Sequence, residues 1–178
     1  MFQNHKTNLV LTQLTLFAFL LWAGMIIGIS FVEAPVKFTA PQVTLAIGLG
    51  IGRLVFGWLN KFELVFCTLA LIGLFFIRVS FKIWLPALLI TAILAVQTIW
   101  LLPALDTRAL QIIAGQQPTP SSLHITYVAL EIFKLGLLLG TASAFFRQQF
   151  MPQKADTGRR ISPVLHPTYE SESSTFAG

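Results

Sequence analysis

The sequence predicts an all-α integral membrane protein: a four-helix transmembrane bundle with an extra interfacial or kinked helix before the second span. Hydrophobic residues make up 55% of the 178-residue chain and charged residues only 11%, against about 25% charged residues in soluble domains. The hydrophobic residues lie in runs of about 20 or more, the length that an α-helix needs to cross a bilayer. Despite a net charge of +5, this pattern excludes a soluble domain, a disordered chain and a nucleic-acid-binding surface.

Three of the four spans follow directly from run length. Residues 9–32 are apolar over more than the roughly 7–15 residues of a signal-peptide core, which favours a retained anchor over a cleaved signal. The third and fourth spans are predicted at 84–105 and 123–146. The composition then turns polar, so we predict a membrane-embedded bundle over 1–151 and a flexible cytoplasmic tail over 152–178.

The second apolar run, at 43–77, is too long for one straight span and leaves two interpretations. Either an interfacial or re-entrant helix at 41–59 leads into a span at 60–77, or two full spans form a tight hairpin. Arg53 lies in the first half of the run, and a charge at mid-bilayer costs at least about 2.5 kcal/mol on insertion scales. The interfacial or kinked helix, with four spans in total, is therefore favoured.

The distribution of lysine and arginine predicts the orientation. With four spans and the N-terminus inside, seven basic residues lie on the inner side and four on the outer side, with Lys134 within the membrane. Basic residues favour the cytoplasmic side, so we predict that both termini are cytoplasmic. A five-span chain would also place the basic tail inside, by reversing the N-terminus.

Polar side chains follow one face of the fourth predicted span. His124, Tyr127, Glu131 and Lys134 are spaced by 3, 4 and 3 residues, which places them within an arc of about 80° over a rise of about 15 Å. Ionisable groups at such depth usually face a bundle interior or a wet cavity. The alternative is a self-neutralising Glu131–Lys134 pair that only fixes the rotation of the helix.

A second polar face and several loop-end charges complete a predicted outward-facing pocket. Arg53, Asn60 and Glu63 share a similar arc if their helix is continuous, and Glu33 and Asp106 close the first and third spans on the same side. The predicted pocket residues are His124, Tyr127, Glu131, Lys134, Asn60, Glu63, Glu33, Arg53 and Asp106. One histidine in the bundle and a single cysteine give neither a bis-histidine haem site nor a Cys-x-x-Cys pair, so the sequence assigns no metal and leaves the cofactor unknown.

Glycines four residues apart predict close helix packing. Such pairs let helix backbones approach each other in membranes, either within the chain or in a homo-oligomer or a membrane complex. The pairs lie at residues 24/28, 48/52 and 136/140. Apart from such a partner, the lipid bilayer is the expected contact of the chain, and no nucleic acid is expected.

Four short motifs carry a family resemblance. Residues 31–38 (Phe-Val-Glu-Ala-Pro-Val-Lys-Phe) close the first span, 52–63 open the second, 102–108 (Leu-Pro-Ala-Leu-Asp-Thr-Arg) close the third, and His124-x-x-Tyr127 opens the fourth. Over about residues 15–146 the chain resembles small bacterial membrane proteins of the transmembrane-protein-205-like family. The resemblance implies a four-helix protein of the bacterial inner membrane without an established activity. A weaker similarity to four-helix proteins grouped with anthrone oxygenases implies an enzyme, but transfers no catalytic residue.

Two classes of function fit the predicted pocket. The first is a non-enzymatic protein that binds or passes a small ligand or ion, or assists a membrane complex. The second is a membrane oxidoreductase or oxygenase that acts on a lipid-soluble substrate and uses His124 and Glu131 for proton transfer.

Overall fold

A computed structural model describes residues 2–151, with side chains from residue 8 onward. The tail predicted at 152–178 lies outside the described residues. The described chain contains four helices long and apolar enough to cross a membrane, which confirms the all-α four-helix prediction and shows a multi-pass membrane protein.

Two of the four long helices are regular, and the other two each contain a π-helical turn. Helix α1 comprises Phe2–Ile26, the π-helical turn Ile27–Glu33, Ala34–Val36 and the 3-10 turn Lys37–Thr39. Helix α2 is Leu45–Ile77, and α4 is Leu123–Phe150. Helix α3 comprises Phe81–Val96, the π-helical turn Gln97–Leu101 and Leu102–Ile113.

The two π-helical turns have the same local cause. In each, a backbone N–H bonds to the carbonyl five residues earlier, from Ala34 to Ile29 in α1 and from Leu102 to Gln97 in α3. A proline follows each donor directly in the sequence. Because proline lacks an N–H and its ring displaces the carbonyl four residues before it, a widened turn accommodates the ring while the helix continues.

Helix α2 corrects one sequence expectation. The separate interfacial helix predicted at 41–59 does not form, because Leu45–Ile77 is one continuous helix of 33 residues. At 1.5 Å per residue it is about 50 Å long, longer than a hydrocarbon core of about 30 Å, so one end extends beyond the core. Arg53 also has a carboxylate partner, Asp106, so the charge that argued for an interruption is neutralised.

The helices pack as a ring in which α1 contacts α2 and α4, and α3 contacts α4 and α2. The centre is filled by large apolar side chains that are almost fully buried, among them Phe19, Trp22, Leu74, Ile90 and Phe145. Many equally large side chains are exposed on the outer surface, with Ile99 78% exposed. An apolar outer surface of this extent is suited to lipid rather than water.

The glycine pairs behave differently from one another. A Cβ atom added at residues 24, 28, 136 or 140 would find no atom within 4 Å, so the close packing predicted for these two pairs does not occur within the chain. At Gly48 an added Cβ would overlap the Phe38 ring, and at Gly52 it would lie 3.0 Å from Lys37 Nζ. The end of α1 therefore packs against α2 at this glycine pair. Spacing alone does not reveal which glycines face another helix.

Candidate functional site

A fully buried lysine organises the centre of the bundle. Lys134 Nζ lies 2.5 Å from Glu63 Oε1 and 2.8 Å from Glu131 Oε1, and it donates a hydrogen bond of 2.7 Å to Gln97 Oε1. The three protons of the ammonium group thus meet three acceptors, which is the full donor capacity of a lysine. We call Glu63, Gln97, Glu131 and Lys134 the ion cluster; its side chains come from α2, α3 and α4.

Helix α1 supplies further donors to the two carboxylates. Trp22 Nε1 donates to Glu63 Oε1 at 2.9 Å, and Ser30 Oγ donates to Glu131 Oε2 at 3.3 Å. Gln97 Nε2 donates to Glu131 Oε1 at 2.8 Å. Ser30 and Gln97 both lie in π-helical turns, so the two irregular turns hold the same carboxylate from opposite helices.

The ion cluster contains one carboxylate more than it contains cations. Glu63, Glu131 and Lys134 are each at most 1% exposed. Two ionised carboxylates beside one ammonium would leave a net negative charge in the bundle interior, where an uncompensated charge is costly. One further positive charge, from a proton or from a bound cation, would make the cluster neutral.

A cavity of about 470 Å³ adjoins the ion cluster. It lies at the end of the bundle where α1 and α3 finish and α2 and α4 begin, which we call the cavity end. All four helices contribute to its lining, and its volume lies within the range of about 300–1,000 Å³ typical of small-molecule sites. The polar lining residues are Ser30, Lys37, Arg53, Asp106, His124, Tyr127 and Glu131. Glu131 thus belongs both to the ion cluster and to the cavity lining.

Two ion pairs flank the cavity. Arg53 contacts Asp106 in a bidentate geometry, with Nε 2.5 Å from Oδ1 and Nη2 3.0 Å from Oδ2. The two side chains are 30% and 42% exposed, which places the pair near the surface, where it joins α2 to α3. Lys37 Nζ lies 3.3 Å from Glu33 Oε2 within α1.

Aromatic rings line part of the same cavity. Lys37 Nζ lies 5.4 Å from the centre of the Phe56 ring. The Tyr127 ring meets Phe56 edge-on at 5.5 Å between ring centres, and the Phe31 and Phe38 rings also line the cavity. The ammonium group of Lys37 thus lies against the aromatic part of the lining.

The structure distributes the predicted pocket residues over two levels. Five of them line the cavity: Arg53, Asp106, His124, Tyr127 and Glu131. Glu63 and Lys134 lie in the ion cluster, in direct contact across α2 and α4. The polar face of α4 therefore extends from the cavity end into the buried centre of the bundle.

Three predicted residues take part less directly than expected. Asn60 Nδ2 donates to Thr98 Oγ1 at 2.8 Å, so its hydrogen bond joins α2 to α3 and does not go to the ion cluster. Glu33 pairs with Lys37. His124 is exposed and lies two helical turns from Glu131, about 10 Å along the axis, too far for direct proton transfer between them.

Gln97, Trp22 and Ser30 were not predicted as site residues. Gln97 is the one amide side chain within the third predicted span, a signal that is visible in the sequence because an amide buried in a membrane needs partners. Trp22 and Ser30 carry no comparable signal, since tryptophan and serine are common in membrane helices without any site role.

Metal-ligating side chains are not grouped in the part of the chain that the structure describes. No three or more His, Cys, Asp or Glu side chains among these residues are placed to hold a metal ion.

No protein-family model, curated protein or solved structure significantly matches this chain. The resemblance to the transmembrane-protein-205-like family stays a prediction. What the site does has to follow from its own geometry and charge.

Proposed function

We propose that this membrane protein is a non-enzymatic binding protein of the bacterial inner membrane, whose cavity holds a small molecule with an apolar body and one polar group. The observation that carries the proposal is the cavity of about 470 Å³ with a buried carboxylate, Glu131, in its lining. A concave apolar site with a few convergent polar groups is the usual form of a small-molecule site.

The apolar part of the lining suits the body of such a ligand. Besides the aromatic rings, the lining includes Ala34, Pro35, Leu49, Leu102, Leu105, Ala109 and Val128. Contact with these side chains removes apolar ligand surface from water, worth about 25 cal/mol per Å². This term favours a lipid-soluble ligand over a strongly hydrated one.

The polar part of the lining fixes the direction of the ligand. Glu131 lies two helical turns below His124, so the cavity is about 10 Å deep along α4. Gln97, Ser30 and Lys134 hold the Glu131 carboxylate from three helices. A carboxylate held in this way is preorganised for a ligand group, because its own rotation is already restricted.

We further propose that the cavity end faces the outside of the cell, with both termini in the cytoplasm. The excess of lysine and arginine on the opposite side, seven against four, supports this orientation. A ligand would then enter from the periplasm or from the outer leaflet of the membrane.

The test uses two probes of the same shape, 4-isopropylbenzyl alcohol and 4-isopropylbenzylammonium, and lipid nanodiscs that contain the protein. Saturation-transfer-difference NMR, with empty nanodiscs as the blank, measures binding. The substitution Ala109→Phe places a ring in the cavity lining, whereas Ala95→Phe places the same ring at an exposed position of the same helix. At least one probe should bind saturably to the wild type and to Ala95→Phe, and lose binding in Ala109→Phe. Binding of neither probe, or equal binding to both variants, would contradict the proposal.

A further inference from the structure

We infer that the ligand is a small organic cation, whose positive group takes the place of a proton held by the Glu63–Glu131 pair in the empty site. The inference rests on the proposed function and adds the chemical class of the ligand. It follows from the charges that face the cavity, the burial of the ion cluster and the aromatic lining.

The charges around the cavity and the ion cluster sum to one negative charge. Lys37 is paired with Glu33, and Arg53 with Asp106. Lys134 is shared by two carboxylates. The full set is Glu33 and Lys37 on α1, Arg53 and Glu63 on α2, Asp106 on α3, and Glu131 and Lys134 on α4, with the exposed His124 at the cavity end. Every cation in this set already has a carboxylate partner, and one carboxylate is left over.

The excess charge lies where water screens it least. Glu131 is 0% exposed and Glu63 is 1% exposed, so an ionised pair beside a single ammonium needs a compensating charge. In the empty site a proton on one of the two carboxylates supplies it. When a cation enters, the carboxylic O–H bond breaks, the proton leaves through the cavity to water, and the carboxylate pairs with the cation. The net charge of the site is the same before and after this exchange.

The lining favours a cation over an anion. The negative faces of aromatic rings attract cations, and the Phe56 ring already lies 5.4 Å from Lys37 Nζ. An anion would have to share Arg53 or Lys37 with the carboxylate that each already contacts, and it would bring a second negative charge toward Glu131.

The experiment compares 4-isopropylbenzylammonium with 4-isopropylbenzyl alcohol and 4-isopropylbenzoate, which share one apolar body. For unit charges about 6 Å apart at an effective dielectric constant of about 20, Coulomb's law gives at most roughly a hundredfold preference for the ammonium over the alcohol, because the attraction also has to offset the release of the proton. Titration in weakly buffered solution near neutral pH should release up to one proton for each ammonium bound. The affinity for the ammonium should fall as the pH is lowered, because protons then compete for the same carboxylates.

The substitution Glu63→Gln tests the charge count without touching the cavity lining. It leaves one carboxylate for Lys134, so the ratio of ammonium to alcohol affinity should drop at least tenfold, and proton release should disappear. If this variant does not fold, proton release and the ammonium-to-alcohol ratio of the wild type decide alone.

The two proposals fail in different ways. Equal binding of ammonium and alcohol, both lost in Ala109→Phe, would overturn the cation inference and leave the proposed function standing. Tightest binding of the benzoate, or binding of the ammonium without proton release, would also overturn the inference. Binding of no probe would overturn the proposed function, and the inference with it.

Discussion

Replacing Lys134 by methionine removes the cation that two buried carboxylates share, while it keeps an unbranched side chain of similar length. In the wild type the ammonium has three acceptors, Glu63, Glu131 and Gln97, at 2.5, 2.8 and 2.7 Å. In the variant those oxygens face an apolar thioether in a site at most 1% exposed.

The size of the effect follows from the burial of the cluster. Removing one partner of a buried ion pair costs about 3–5 kcal/mol, because the remaining charge is left without compensation. With about 2–4 °C of Tm per kcal/mol for a chain of this size, Lys134→Met should lower the Tm by about 6–20 °C. The triple variant Glu63→Gln, Glu131→Gln, Lys134→Met removes all three charges together, and it should recover most of this loss.

Thermal unfolding of the purified protein in detergent, followed by circular dichroism, measures these differences. The matched control is Lys61→Met, which removes an exposed lysine whose Nζ lies 4.2 Å from the Trp58 ring centre. A surface cation–π contact is worth at most about 1 kcal/mol, so the control should shift the Tm by only a few degrees. Equal Tm values for Lys134→Met and Lys61→Met, or a triple variant no more stable than the single one, would refute the reasoning.

Three further predictions concern packing, the surface ion pair and topology. Gly73→Ala should lower the free energy of unfolding by about 1–3 kcal/mol, because the new Cβ would overlap a threonine side chain of α1. The control Gly24→Ala meets open space and should not lower the free energy of unfolding. Equal losses for the two variants in chemical denaturation would contradict this. Arg53→Lys keeps the charge but loses the bidentate contact. At this half-exposed site it should lower the free energy of unfolding by less than about 1 kcal/mol. A larger decrease in the same assay would contradict a weak, surface contribution of the pair. Reporter fusions after Phe150 and within residues 114–122 should report opposite sides of the membrane, and reports from one side would exclude four spans.

Hydrophobic run length predicts the helices of this protein well, because a bilayer demands about 20 apolar residues per span. The same physical constraint predicts that Glu131 and Lys134 face inward, since charges at that depth need partners. The periodicity of α2 then points to Glu63 as a facing residue. In each of these cases one strong energetic term decides the outcome.

Other features could not be predicted, because they depend on which helix faces which. Gln97 and Ser30 reach Glu131 through π-helical turns, and a proline in the sequence does not reveal whether the helix before it widens, bends or ends. The glycines at 24/28 and 136/140 have the spacing of a packing motif yet meet open space, because the motif specifies a spacing and not a partner. Arg53 of α2 likewise has its carboxylate partner, Asp106, on another helix.

Labelling of a cysteine placed in the cavity tests the central claim, an outward-facing ligand cavity, most directly. Ala34→Cys lines the cavity at a half-buried position, Ala40→Cys lies exposed just after the end of α1, and the native Cys67 is buried and gives the background. The reagent is a membrane-impermeant trimethylammonium methanethiosulfonate, applied to spheroplasts and to inverted vesicles. We expect Ala34→Cys to react in spheroplasts, to be protected there by 4-isopropylbenzylammonium or 4-isopropylbenzyl alcohol, and to react little in inverted vesicles. Ala40→Cys should also react in spheroplasts but show no protection. Absence of labelling at Ala34→Cys from either side, or labelling that neither compound slows, would contradict the account.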